Sequence, residues 1–175
     1  MPHKLEKKLN ATAKDILDAI LNGFRAQVDV KGKLAELYLF RILKKLEVQK
    51  KIKSLEWKDN DGTPDFSLEF NGHIFKIECK NVRNEIYQSP TPSFKVEIQK
   101  TRNSKDGTDT RSYRRDYFDI LAVCTFNQTK KWEFVFIKVS DLVVVASNPN
   151  LLQIMHRVPI QIVDPWKKDI FEVLS

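Results

Sequence analysis

Cysteine and histidine are scarce in this sequence: its 175 residues include two cysteines and three histidines. Cys79 and Cys124 both lie within apolar runs, which is typical of small buried side chains in a reducing compartment rather than of a disulfide. The histidines are far apart and lack the Cys/His spacing of a zinc site. The sequence therefore argues against a disulfide-stabilised secreted domain and against a zinc module.

Long apolar runs are also missing. Segments such as Leu142–Ala146 are far too short to span a bilayer. The first residues, Met1–Lys8, are charged and lead into an amphipathic pattern, unlike an apolar signal segment. We therefore expect a cytoplasmic protein that has no membrane partner.

Positive charge is in excess. The chain has 30 Lys and Arg against 23 Asp and Glu, a formal net charge of +7 and a pI near 9.3. Such an excess favours a polyanionic partner, because lysine and arginine displace the counterions of a phosphate backbone. A protein that is basic without such a partner is the alternative, so charge alone does not decide for nucleic acid.

The pattern of apolar residues changes along the chain. Helical spacing covers Leu5–Phe24 and Lys33–Leu46. Strand-like alternation follows in six segments: Ser54–Trp57, Asp65–Phe70, His73–Lys80, Phe94–Ile98, Tyr117–Thr125 and Trp132–Val139. A short helix is predicted over Trp166–Leu174. This order predicts a single α/β (α+β) domain with a mixed central sheet flanked by helices, in which residues 1–30 form an N-terminal helical extension, 31–139 the core and 140–175 short C-terminal elements.

Asn71-Gly72 is a strong signal for a tight hairpin turn. If these are its two central residues, Phe70 pairs with His73 and Asp65 stands opposite Glu78. Alternation then places six mostly apolar residues on one face, which we expect to be the core side: Phe66, Leu68, Phe70, Phe75, Ile77 and Cys79. The opposite face holds the polar residues Asp65, Ser67, Glu69, Lys76, Glu78 and Lys80.

Two carboxylates placed opposite each other repel, so Asp65 and Glu78 need a reason to be paired. A Mg²⁺ ion would provide one, because it prefers oxygen ligands and retains several waters. Lys80 projects from the same face and could orient, or help deprotonate, a water bound to the ion. The alternative is a solvated hairpin face on which lysines neutralise the carboxylates.

These residues carry a family resemblance. Pro64-Asp65, a hairpin and then Glu78-Cys79-Lys80 resemble the PD-(D/E)xK motif of the restriction-endonuclease-like nuclease superfamily, and the chain looks most like its small type II restriction endonucleases. The resemblance implies a restriction-endonuclease-like core, with Asp65 and Glu78 as metal ligands and Lys80 as a catalytic residue. It also implies that Glu36, in the first turn of the Lys33–Leu46 helix, and Gln99, after the next strand, contribute to the site.

The implied activity is Mg²⁺-dependent cleavage of double-stranded DNA, with Mn²⁺ as an alternative ion. Two other functions remain open: a structure-specific nuclease such as a Holliday-junction resolvase, and a non-catalytic DNA-binding protein of the same fold. Double-strand cleavage by a small single-site chain would require a homodimer. Six basic residues of the polar stretch Gln99–Arg115 are the expected DNA contacts: Lys100, Arg102, Lys105, Arg111, Arg114 and Arg115.

Overall fold

The computed structural model describes residues 2–58, 60, 62–100 and 111–175. It comprises two compact units, residues 1–34 and residues 35–175, which are described separately. The predicted DNA-binding residues Arg102 and Lys105 lie outside the described residues.

The first unit is helical, as the apolar spacing indicates. It contains α1 (Lys4–Leu9), α2 (Ala13–Asn22) and the beginning of α3 (Phe24–Val48). Thr12 caps α2 by accepting from the Asp15 N–H, and Gly23 follows its last turn. Among the described residues, no helix has both the length and the apolar character needed to cross a bilayer.

The predicted start of the second helix, at Lys33, is wrong. Helix α3 is continuous from Phe24 to Val48 and passes through Gly32. A mid-helix glycine costs about 1 kcal/mol relative to alanine, which the rest of a long helix can tolerate. Glu36 consequently lies in the middle of the helix and not in its first turn.

The second unit is built on a mixed sheet. In the described part of the chain its strands are β1 (Lys53–Trp57), β2 (Phe66–Phe70), β3 (His73–Tyr87), β4 (Ser93–Glu97), β5 (Ile120–Cys124), β6 (Phe134–Lys138) and β9 (Met155–Pro159). A separate pair is formed by β7 (Val144–Val145) and β8 (Asn148–Leu152). The order is β1-β2-β3-β4-β9, and β5 also pairs with β3 and with β6. Only the β3–β5 pairing is parallel among the described strand pairs of this sheet, so the predicted mixed α+β architecture is confirmed.

The hairpin between β2 and β3 has the predicted register. Asn71 and Gly72 both have positive φ, 50° and 80°, as a type I′ turn requires. The pairings run from Phe70 with His73 to Phe66 with Ile77. This register sets which residues of the two strands share a face.

Two apolar clusters cover the two faces of the sheet. The first includes Leu39 and Leu43 of α3 and the six predicted core residues of the hairpin, of which Phe70 and Phe75 are only partly buried. The second includes Val82 of β3 together with Leu121 and Val123 of β5. The predicted polar face of β3 is therefore covered in part.

The C-terminal region differs from its prediction. A 3₁₀ turn at Ile170–Glu172 replaces the helix expected over Trp166–Leu174. Trp166 is buried in the second cluster. Helix α4 (Phe126–Thr129) follows β5, and the Asn127 side chain donates to the Val82 carbonyl at 2.6 Å.

Candidate active site

The pairing partner of β3 changes at the point where the motif residues lie. Strand β2 pairs with β3 as far as Ile77, and β4 pairs with it from Val82 onwards. Residues 78–81 lie between these two pairings, while β5 runs parallel to them. Glu78 and Lys80 are two residues apart and so project from the same face of β3.

Asp65 lies directly before β2, in the position that continues the hairpin register towards Glu78. Its Oδ2 accepts a hydrogen bond from the Cys79 backbone N–H at 2.8 Å. The Asp65 side chain thus bonds to the peptide that follows Glu78. This contact brings the two carboxylates of the motif to one place on the sheet.

Lys80 forms an ion pair with Glu78. The distance from Lys80 Nζ to Glu78 Oε1 is 2.5 Å. The Glu78 side chain is 4% exposed and the Lys80 side chain 25% exposed. The ammonium group therefore lies at the partly open edge of an otherwise buried carboxylate.

The Asp65 carboxyl group is disfavoured in its ionised form. Burial, followed by the charge of Glu78, raises the pKa of Asp65 to about 7. The Lys80 charge and the Cys79 hydrogen bond act in the opposite direction, and the Glu36 charge raises the pKa further. The ionised form of Asp65 is thus disfavoured in this site, which favours a proton or another cation beside it.

Lys80 remains protonated at neutral pH. Burial acts to lower its pKa, but the charge of Glu78, the charge of Asp65 and the hydrogen bond to Glu78 outweigh burial and hold the pKa well above its usual range. An ammonium that keeps its proton can orient a water or a phosphate but cannot accept a proton. That Lys80 helps to deprotonate a water bound to an ion stays a prediction.

Tyr113 belongs to this site and was missed in the sequence. Its hydroxyl donates to Glu78 Oε1 at 2.6 Å, and Lys80 Nζ lies 5.6 Å from the centre of its ring. The residue stands in a basic, polar stretch that lacks apolar periodicity. Its nearness to Tyr117 and Phe118 was the available signal that this stretch returns to the core.

Glu36 is buried near the motif. It is 8% exposed, and its Oε2 accepts from the Trp57 indole N–H at 3.0 Å. Trp57 lies between Phe40 and Phe66, with ring centres 5.3 and 5.9 Å away. The effect of Glu36 on the pKa of Asp65 places it within electrostatic reach of the site.

Gln99 is not joined to the motif residues by its described contacts. Its side-chain amide donates to Glu97, which in turn pairs with Arg83. Ile98, between them, is fully buried in the second cluster. The structure therefore connects Gln99 to a neighbouring ion pair and not to Asp65, Glu78 or Lys80.

Four of the predicted DNA-binding residues lie in the described part of the chain, and they form two groups. The Lys100 backbone N–H donates a hydrogen bond to the Arg111 carbonyl at 2.8 Å. Arg111 Nε also donates to the Lys100 carbonyl, at 2.7 Å. Arg114 and Arg115 are exposed; the first pairs with Asp116 at 2.7 Å. Arg111 is two residues from Tyr113, so the basic stretch adjoins the candidate site.

The carboxylate oxygens of Asp65 and Glu78 are the type of ligand that Mg²⁺ prefers. Among the described residues, no group of three or more His, Cys, Asp or Glu side chains is arranged to hold a metal. Mg²⁺ is commonly held by one or two carboxylates, waters and substrate phosphates, so two carboxylates suffice. In the described part of the chain, Asp65 Oδ1 and Glu78 Oε2 accept no hydrogen bond, so these two oxygen atoms could bind a metal ion.

Comparison with known proteins does not identify a family for this chain. No family model matches the chain, and no curated protein matches it. Among solved structures, the chain is similar to a bacterial homing endonuclease, I-Ssp6803I, at 18% sequence identity and a TM-score of 0.45, over 64% of this chain and 69% of that chain. What can be inferred about chemistry therefore depends on the geometry of the site itself.

Proposed function

We propose that this chain is a Mg²⁺-dependent DNA endonuclease of the PD-(D/E)xK type, which hydrolyses phosphodiester bonds in double-stranded DNA. One observation carries the proposal: Asp65 and Glu78 lie together beside the ammonium of Lys80, where burial and the charge of Glu78 disfavour the ionised form of Asp65. A divalent cation would relieve this repulsion. Mn²⁺ has the same preference for carboxylate oxygens and is the expected substitute.

Asp65 and Glu78 would hold the ion, each through the oxygen that no described hydrogen bond occupies. When bound, such an ion polarises a phosphate oxygen and lowers the pKa of its water. Glu36 adds negative charge close to Asp65 and so strengthens the attraction for a cation. Its hydrogen bond with Trp57 fixes the position of that charge.

Lys80 would stabilise the negative charge that builds on the phosphate during hydrolysis. Its raised pKa keeps the ammonium charged, and its side chain is more exposed than that of Glu78. A fixed positive charge in a partly buried site stabilises a developing oxyanion more strongly than the same charge does in water. Lys80 thus acts as an electrostatic and orienting group.

The basic stretch would hold the DNA backbone. The described candidates for phosphate contacts are Lys100, Arg111, Arg114 and Arg115, and Arg102 and Lys105 remain candidates from the sequence alone. Phosphate contacts hold DNA in place without selecting a sequence. One site cuts one strand, so a C₂ homodimer is proposed for double-strand cleavage.

A second candidate is a DNA-binding protein without catalysis. The observation in its favour is the burial of Glu78, which is 3% exposed and has one oxygen bonded to both Lys80 and Tyr113. In this case the charged cluster would be purely structural. The chain would then bind DNA equally well with Mg²⁺ and with EDTA and would cut none.

Incubation with supercoiled plasmid, a four-way junction and single-stranded DNA, each with Mg²⁺ or EDTA, tests the proposal. We expect Mg²⁺-dependent nicking or linearisation of plasmid, lost in Asp65→Asn while DNA binding persists. Cutting confined to the junction would indicate a structure-specific nuclease. Binding without any cutting in Mg²⁺ or Mn²⁺ would favour the non-catalytic function and refute the nuclease.

A further inference from the structure

We propose that Tyr113 is a positioning residue for the Glu78 carboxylate, and that its hydroxyl determines which oxygen of Glu78 remains available to a divalent cation. This inference rests on the proposed function, because it concerns how the same site holds its ion. Tyr113 lies far from the motif in sequence, and neither the motif nor the hairpin register points to it.

The two hydrogen bonds to Glu78 converge on one atom. Tyr113 donates its hydroxyl to Oε1 at 2.6 Å, and Lys80 Nζ lies 2.5 Å from the same oxygen. Within the described residues, Oε2 accepts no hydrogen bond. The two donors therefore distinguish the oxygens of Glu78 and leave Oε2 for a further ligand.

Burial increases the cost of losing the hydrogen bond between Tyr113 and Glu78. The Glu78 side chain is 4% exposed, and Tyr113 is 5% exposed. A buried carboxylate that loses a donor has little water to replace it, so it must rotate or remain incompletely solvated. Either outcome disturbs the orientation that ion binding requires.

Tyr113 is itself held firmly. Its ring stacks on Tyr117 with centres 4.8 Å apart and meets the edge of Phe118 at 5.7 Å. Its backbone carbonyl accepts from the Leu152 N–H at 2.9 Å. Because the ring is packed on several sides, the hydroxyl is held in one position and can fix the orientation of the Glu78 carboxylate.

Lys80 depends on the same tyrosine. Its ammonium lies 5.6 Å from the centre of the Tyr113 ring, within the range of a cation–π interaction. The ring would retain this contact if the hydroxyl were removed. Substitution by phenylalanine therefore isolates the bond to Glu78 from the packing of the ring and from its contact with Lys80.

The test is calorimetric titration of the DNA-free protein with MgCl₂ and with MnCl₂. For Tyr113→Phe we expect ion affinity to fall by about 10-fold or more, the size typical of losing a group that orients a metal ligand. The matched control is Tyr38→Phe. Tyr38 also stacks on another ring, Trp132, at 4.8 Å, and its hydroxyl donates no hydrogen bond within the described residues. This control should bind the ions as the wild type does.

The outcomes separate this inference from the proposed function. Wild-type affinity in Tyr113→Phe would overturn the positioning role and leave the nuclease proposal intact. A wild-type protein that binds neither ion would refute the metal site itself, and with it the role of Tyr113. The wild-type titration alone identifies this second case.

A second variant covers loss of folding. If Tyr113→Phe does not fold, as judged by circular dichroism, Glu78→Gln is added to it. Recovery of the fold supports the inference, because Tyr113→Phe then fails to fold on account of the charged Glu78 carboxylate, which has lost the Tyr113 hydroxyl as a donor. Failure to recover overturns it, since Tyr113 would then be needed for packing.

Discussion

The Asp65 carboxylate takes the place of a strand partner for Cys79: its Oδ2 accepts from the Cys79 N–H at 2.8 Å where the pairing of β3 passes from β2 to β4. Asp65 therefore has two functions in one position. It completes the hydrogen bonding of the sheet, and it supplies charge beside Glu78. Asparagine keeps the acceptor oxygen and removes the charge, so Asp65→Asn separates these functions.

The first prediction concerns stability against pH. The pKa of Asp65 in the folded protein is about 7, above its ordinary value of 3.8. Folding therefore favours the protonated form, and this contribution to stability is full below about pH 4 and lost as the pH rises through about 7. In metal-free buffer, the advantage of Asp65→Asn over the wild type should grow across this window to about 1–3 kcal/mol.

Thermal unfolding followed by circular dichroism, at about pH 4, 6 and 8, measures this advantage. The control is Asp141→Asn, which changes an exposed aspartate and should show no such trend. A stability difference for Asp65→Asn that stays constant with pH would contradict the prediction.

The second prediction concerns metal affinity. A proton on Asp65 competes with a cation for the same carboxylate. Because the pKa of Asp65 is raised to about 7 by burial and by Glu78, Mg²⁺ affinity should be about 10-fold weaker near pH 6 than near pH 8. Calorimetric titration at both pH values measures the ratio, and equal affinities would show that this proton does not compete.

The third prediction concerns Lys80. Lys80→Ala should lower the plasmid cleavage rate by about 100-fold or more, because a positive charge near the phosphate is lost. Lys76→Ala provides the comparison, since Lys76 is an exposed lysine on the same strand. DNA affinity, measured by fluorescence anisotropy, should change little in either variant. Undiminished cleavage by Lys80→Ala would remove this lysine from the mechanism.

The fourth prediction concerns Trp57 and Glu36. Trp57→Phe keeps an aromatic ring between Phe40 and Phe66 but removes the indole N–H that donates to Glu36. Since Glu36 is buried, the loss should lower the free energy of unfolding by about 1–3 kcal/mol. Urea denaturation measures it.

Glu36→Gln is the companion to that variant. If Glu36 strengthens ion binding through its charge, Glu36→Gln should weaken Mg²⁺ binding by a larger factor than Trp57→Phe does. Equal effects of the two variants on Mg²⁺ binding would indicate that Glu36 contributes only to packing.

The parts of the fold that could be predicted depend on strong local signals. Asn71-Gly72 fixes one turn conformation, and from it followed the pairing of β2 with β3 and the core face of the hairpin. The extension of β3 to Tyr87 was missed because Asn84 places a polar side chain on the same face as Val82 and Ile86, which interrupts apolar alternation. The helix expected at Trp166–Leu174 failed because apolar spacing over so short a segment does not distinguish a helix from separate side chains packing into the core.

The residues of the candidate site also divide into those that a local signal predicts and those that it does not. Glu78 and Lys80 lie on β3, and Asp65 directly precedes β2, so the hairpin register alone could bring them together. Tyr113 reaches Glu78 from 35 positions along the chain, and no local pattern specifies a contact across that separation. Glu36 could be named by resemblance, whereas its bond to Trp57 depends on how α3 packs against the sheet.

The position of β3 also limits how the protein can move. Its backbone is bonded to β2 and then β4, and to β5 along Ile77–Asn81. Amide protons in such a central strand exchange with solvent chiefly when the whole domain opens. We therefore expect deuterium uptake at Glu78–Lys80 to be among the slowest in the described part of residues 35–175, so that the strand with the motif stays rigid.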